Sequence, residues 1–213
     1  MPDWSQLLLF IAAGWLLNLT PGPDVLYIVS NSLRGGVRAG MVAALGIFAG
    51  CFVHVAIATV GLGALLAASA MAFTVVKYIG AAYLLWMGVR LLRASAPGWA
   101  PAEAAPAEPD LGRVFRRGFL TNVLNPKVAL FFLAFLPQFI APDASHKTLA
   151  FLALGVLFSF NALPVTLGYA WLAAWAANRV SLVRRAMHWL DRAAGVLFVG
   201  FGLKLAMTDN PAP

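Results

Sequence analysis

The stretch "NLTPGPDVLYIVSN", residues 18–31, decides the fold. Before it, Leu7 to Leu17 is apolar apart from Gly14, and after it Val25 to Val29 is largely apolar again. Two prolines, a glycine and an aspartate therefore interrupt an otherwise hydrophobic run. Pro21 and Pro23 lack backbone N–H donors and disturb the preceding turn. Carbonyls just upstream, near Leu17 and Asn18, lose their helical partners. Unpaired backbone in hydrocarbon costs several kcal/mol per group, so the segment must face protein or water. A helix can restart here in either of two registers: Thr20 as N-cap with Pro21 first, or Gly22 with Pro23. Both registers leave Asp24 in the first turn.

Working outward, the whole chain reads as a bilayer protein. Its 213 residues are 62% hydrophobic and 11% charged, with mean hydropathy +0.83. A soluble domain would be roughly half apolar and about a quarter charged. Long apolar runs predict an all-α, polytopic membrane protein with six transmembrane helices, at about 5–33, 39–68, 72–93, 115–140, 147–177 and 187–207. The first run does not read as a signal peptide, because no Lys or Arg precedes it.

The net charge of +7 is a topology signal. Eleven of the fifteen basic residues fall in alternate loops: Arg34 and Arg38; Arg90, Arg93, Arg113, Arg116 and Arg117; Arg179, Arg184, Arg185 and Arg192. The positive-inside rule makes those loops cytoplasmic, so both termini are expected outside. This distribution argues against a nucleic-acid partner. The lone Cys51 excludes an internal disulfide or a dithiol pair. No His/Cys cluster has ligand spacing, so neither a metal nor a cofactor is expected.

Residues 94–112 carry four prolines among alanines and acids and predict a cytoplasmic linker between residues 1–93 and 113–213. The halves resemble one another. "GWLLN" at 14–18 matches "GFLTN" at 118–122, each followed by a proline, and "WMGVRLL" from Trp86 matches "GFGLKLA" from Gly200. A three-span unit reverses orientation when repeated, which predicts two inverted three-helix repeats, each with a broken first helix. The second break is "NVLNPK": Asn125 can cap, Pro126 fits the first helical position, and Lys127 follows.

Asp24 and Lys127 both fall near the middle of their spans. Together with Asn18, Thr20, Pro21, Gly22, Pro23, Asn122, Asn125 and Pro126 they compose a candidate substrate site. Asp24 suits an ammonium group. Lys127 and the half-helix N-termini suit a carboxylate. Asp24 is also a candidate for proton coupling, as is His54, which lies in mid-span. The glycines at 36, 40, 46 and 50 suit close helix packing, and two copies of the chain could meet through such faces as a homodimer. Asn161 and Pro164 hint at a further irregularity.

"NLTPGPDVLYIVSNSLRGGVRAGMVAALGIFAG", "RRGFLTNVLNPKVALFFLAFLPQFI" and "KYIGAAYLLWMGVRLLR" resemble the LysE/RhtB family of amino-acid exporters over nearly the whole chain, and the homoserine/threonine-type branch most. The resemblance implies a bacterial inner-membrane transporter, not an enzyme, that exports amino acids or close derivatives, with small neutral ones such as threonine, homoserine or leucine favoured, by proton antiport and alternating access at a midplane site. The rival reading is a channel or exporter for another small solute, such as a metal cation.

Overall fold

The computed structural model describes residues 4–62, 70–93, 109–140, 144, 146–177 and 180–207. Most of the expected linker (94–108) and the end of the second predicted span lie outside them. Every regular element among the described residues is helical. In chain order these are α1 (Trp4–Leu19), α2 (Pro23–Ile57) with a π-helical turn (Ala58–Leu62), α3 (Ala70–Arg93), α4 (Leu111–Val123), α5 (Pro126–Ala134) with a 3-10 turn (Leu136–Phe139), α6 (Lys147–Trp175) and α7 (Val180–Met207).

α2 is two helical arms, 23–35 and 37–57, joined at Gly36. That residue has φ 70°, ψ −173°, a conformation almost confined to glycine. A straight helix would hold Ser32 and Gly40 about 12 Å apart. Instead a Cβ placed on Gly40 would collide with the Ser32 hydroxyl. The chain thus turns back on itself, and the first predicted span ends where Gly36 turns. Of the four glycines assigned to packing, Gly36 serves the turn and has no neighbour at its Cβ position; Gly40, Gly46 and Gly50 do pack closely.

Two helical stretches, Pro23–Gly61 with its turn at Gly36 and Lys147–Trp175, pass as long and apolar enough to cross a bilayer. The α4–α5 pair, bent by 45°, makes a third if counted as one span. α1 is apolar but shorter. Large apolar side chains such as Trp15, Ile57, Leu124, Trp171 and Trp175 stand exposed on the outside, as lipid contact requires.

The interior is held by glycine contacts and phenylalanines. A Cβ on Gly46 would collide with the Phe115 carbonyl oxygen, and one on Gly118 would stand 2.7 Å from that of Ala43. The second arm of α2 and α4 therefore meet backbone to backbone, and these small-residue faces are spent inside the chain. Gly14, the counterpart of Gly118, packs on Phe158 and Asn161 of α6. α3 and α7 pair antiparallel: Gly202 packs on Ala81 and Leu85, Gly88 on Val199, and Gly195 on Leu92. A phenylalanine cluster joins α1, α5 and α6, with Phe10–Phe139 ring centroids at 5.1 Å and Phe131–Phe158 at 4.7 Å.

α6 stays helical through Pro164. Beside it, the Thr166 hydroxyl donates to the carbonyls of Ala162 and Leu163. The irregularity expected at Asn161 and Pro164 is local only, and Asn161 Nδ2 donates to the Ile11 carbonyl of α1.

Candidate functional site

The two breaks meet. The first occupies Thr20 to Gly22, and α2 restarts with Gly22 as N-cap and Pro23 in its first turn. Of the two registers open to the sequence, the second is adopted. Thr20 instead closes α1, its hydroxyl donating to the Leu16 carbonyl at 2.6 Å. The second break occupies Leu124 and Asn125. Asn125 caps α5, its Oδ1 accepting from the Lys127 N–H at 3.0 Å, and Pro126 follows as the first helical residue.

The carbonyls freed at the first break find identifiable partners. Lys127 Nζ donates to the Leu17 carbonyl at 3.0 Å and to the Thr20 carbonyl at 2.9 Å. The Tyr169 hydroxyl donates to the Leu19 carbonyl at 2.8 Å. The C-terminal end of α1 carries a partial negative charge, which a cation offsets. A lysine from one break thus caps the helix that ends at the other. Its ammonium lies against Gly22, where a Cβ would stand 3.1 Å from Nζ.

Asp24 is buried, 7% exposed. Asn122 Nδ2 donates to its Oδ2 at 2.9 Å. His54, also buried, donates from Nε2 to the Asn122 carbonyl at 2.9 Å. That bond to a carbonyl requires the proton on Nε2. His54 therefore braces Asn122, which braces Asp24. Asn122 is the counterpart of Asn18 in the internal match, and both line one cavity together with Asp24, Lys127, Cys51 and Ser159. The cavity has room for about 30 Å³ of water-sized occupants, enough for a water or two. That is smaller than an amino acid.

Among the described residues, several buried polar atoms here make no direct hydrogen bond: Asp24 Oδ1, Asn122 Oδ1, Asn18 Nδ2 and Asn125 Nδ2, although the Asn125 side chain still acts on the Asp24 carboxylate. Leaving such atoms unfilled costs about 1–3 kcal/mol each. Three belong to cavity-lining residues, two acceptors and one donor, beside the Lys127 ammonium. The set complements a small molecule that carries both a donor and an acceptor group.

Of the residues singled out from sequence, Asn18, Asp24, Asn122 and Lys127 line the cavity. Thr20, Pro21, Gly22, Pro23, Asn125 and Pro126 build the two breaks around it. His54 stands behind Asn122. Sequence reasoning missed Tyr169, Ser159 and Phe158. Ser159 and Phe158 reach the cavity from α6, and nothing in that apolar run marks them.

No solved structure matches the chain. A homoserine/homoserine lactone efflux protein of Salmonella typhimurium is 33% identical over 197 residues, covering 92% of this chain and 94% of that protein. A leucine efflux protein of Salmonella choleraesuis is 29% identical over 206 residues, covering 94% of each. An uncharacterized membrane protein of Pseudomonas aeruginosa is 38% identical over 199 residues, covering 88% of each. The family pattern described as LysE type translocator matches residues 15–209, and the chain belongs to that family.

Proposed function

We propose that the chain exports small neutral amino acids, homoserine-, threonine- or leucine-like, across the bacterial inner membrane. The substrate occupies the cavity between the two breaks once that cavity widens to admit it. Its ammonium group takes Asp24 Oδ1 and Asn122 Oδ1. Its carboxylate takes Asn18 Nδ2 and the positive side formed by Lys127 and the start of α5. The observation that carries this reading is the set of unfilled acceptors and donor on one buried cavity. The efflux relatives support the same class of substrate.

Six spans in two inverted halves, 1–93 and 113–213 with a linker between, suit alternating exposure of this site. Exchanged contacts favour that plan. The matched segments place Gly88 opposite Gly202 and Leu85 opposite Val199. The contact of Gly88 with Val199 becomes, on exchange, that of Gly202 with Leu85, and both occur. Because α3 and α7 are antiparallel, exchanging them inverts the direction. Proton uptake at Asp24, relayed to the scaffold through Asn122 and His54, supplies the coupling to the proton gradient.

Counterflow in proteoliposomes preloaded with leucine, homoserine or threonine tests the reading. The wild type exchanges at least one of the three. Asp24→Asn and Asn18→Ala each lower that exchange at least about tenfold, the worth of one charge-assisted hydrogen bond. Wild-type rates in both variants would overturn the assignment of the site.

A further inference from the structure

A second, larger cavity, of about 440 Å³, lies apart from the first. Tyr27, Asn31 and Arg34 of the first arm of α2 line one side, and Arg113 and Arg117 of α4 the other. Its lining holds three guanidinium groups and one carboxylate, that of Asp110. Asp110 is engaged at the start of α4, where it accepts from the Arg113 N–H at 3.0 Å and stands 3.9 Å from Arg113 Nε. Among the described residues, neither Arg34 nor Arg117 pairs with a carboxylate. Guanidinium groups gathered around a concavity recognise carboxylate or phosphate oxygens, frequently in bidentate fashion.

The position of this cavity relative to the first is informative. Asp24, Tyr27, Asn31 and Arg34 follow one another at spacings of three, four and three, which places them on one face of the helix. Asp24 lines the central cavity and the other three line the basic one. On α4, Asn122 lines the first, and Arg117 and Arg113 line the second. α2 and α4 therefore carry lining residues of both cavities in succession, while α1, α5 and α6 also wall the central one. Ten helical residues from Asp24 to Arg34 span about 15 Å. Tyr27 stands at the divide, its hydroxyl donating to the Val114 carbonyl at 2.9 Å and its ring against Gly118.

We propose that the basic cavity is a first binding station, which takes the carboxylate of the amino acid through Arg34 and Arg117 before the molecule passes Tyr27 to the central site. This rests on the exporter reading. An oxyanion could reach the same arginines from an anionic lipid headgroup, and the succession of the two cavities favours the substrate.

The test measures apparent KM separately for amino acid supplied at each face of oriented phosphatidylcholine proteoliposomes. The probe is whichever of leucine, homoserine or threonine the wild type carries. In the double variant Arg34→Gln/Arg117→Gln, KM for amino acid supplied at the arginine-bearing face rises at least about tenfold, and at the opposite face it changes less than about twofold. Arg93→Gln, an exposed arginine away from the cavity, leaves both values as in wild type. An unchanged KM at the arginine-bearing face, with transport intact, would overturn this inference and leave the exporter reading standing. A change seen only when phosphatidylglycerol is added would assign the arginines to lipid phosphate and overturn it as well. Absence of amino-acid transport by the wild type would overturn both.

Discussion

Lys127→Met probes the contact that joins the two breaks. Its ammonium donates to the carbonyls of Leu17 and Thr20, and its charge acts on Asp24, which lines the same cavity. The Leu17 carbonyl keeps the Thr20 N–H at 3.2 Å, so one carbonyl, that of Thr20, loses its lysine without such a substitute. A stranded buried acceptor costs about 1–3 kcal/mol. Removing the cation also leaves a buried carboxylate uncompensated, at about 3–5 kcal/mol. Lys127→Met should therefore lose roughly 4–8 kcal/mol, against a typical total of about 5–15. Asp24→Asn alone leaves the lysine buried without its counter-charge and also destabilises. In Lys127→Met/Asp24→Asn the charge part cancels and the carbonyl part remains. The double variant should thus be more stable than the sum of the singles predicts, by about 2–4 kcal/mol. Denaturant unfolding of the purified protein in micelles, followed by tryptophan fluorescence, reads all four corners of the cycle. Additive losses within about 0.5 kcal/mol, or a Lys127→Met variant as stable as wild type, would refute the reasoning.

Other positions separate packing, turn and capping. Gly46→Ala drives a methyl group into the Phe115 carbonyl oxygen; it should cost about 1–3 kcal/mol in the same unfolding assay, whereas Ala at Gly168, where a Cβ meets nothing, should cost less than about 1 kcal/mol. Gly36→Ala forces φ 70° on an L side chain and should lower stability by about 1–3 kcal/mol, with Gly36→Asn no better than alanine, since the ψ of −173° lies outside the left-handed helical region that asparagine tolerates. Asp110 accepts the Arg113 N–H, which with the positive charges of Arg113 and Arg116 holds its carboxyl below the usual range. Its contribution is therefore present at neutral pH and lost as pH falls through that lowered value; the acid-side fall in α4 protection, read by amide hydrogen exchange, should be smaller in Asp110→Asn than in wild type.

The breaks were legible because proline, glycine and charge inside a hydrophobic run violate a strong rule of the bilayer. The caps at Asn125 and Pro126 followed from local chemistry alone, as did the expectation of freed carbonyls near Leu17. The choice between Thr20 and Gly22 as N-cap was not legible, because both registers satisfy the same local rule. It was settled by Thr20 closing α1 while Lys127, more than a hundred residues away, took its carbonyl. Long-range partners leave no local trace: nothing in "GCFVHVAIA" says that His54 bonds the Asn122 carbonyl. Gly36 was read for the wrong reason, since a glycine kept for its φ and one kept for its missing side chain look alike in sequence. The basic residues were read only for orientation; their gathering into a cavity with Tyr27 and Asn31 needed the α2–α4 crossing.

The central claim is that the two breaks hold one zwitterion. Competition against a radiolabelled amino acid on the purified protein tests it most directly. With leucine as the label, unlabelled leucine displaces it, while 3-methylbutylamine, which lacks the carboxylate, and 4-methylpentanoate, which lacks the ammonium, each compete at least about ten- to a hundredfold more weakly, as the loss of a charge-assisted contact requires. If leucine is not carried, homoserine or threonine and its corresponding amine and acid take its place. An amine that competes as well as the parent amino acid would contradict the account and leave a site for cations alone.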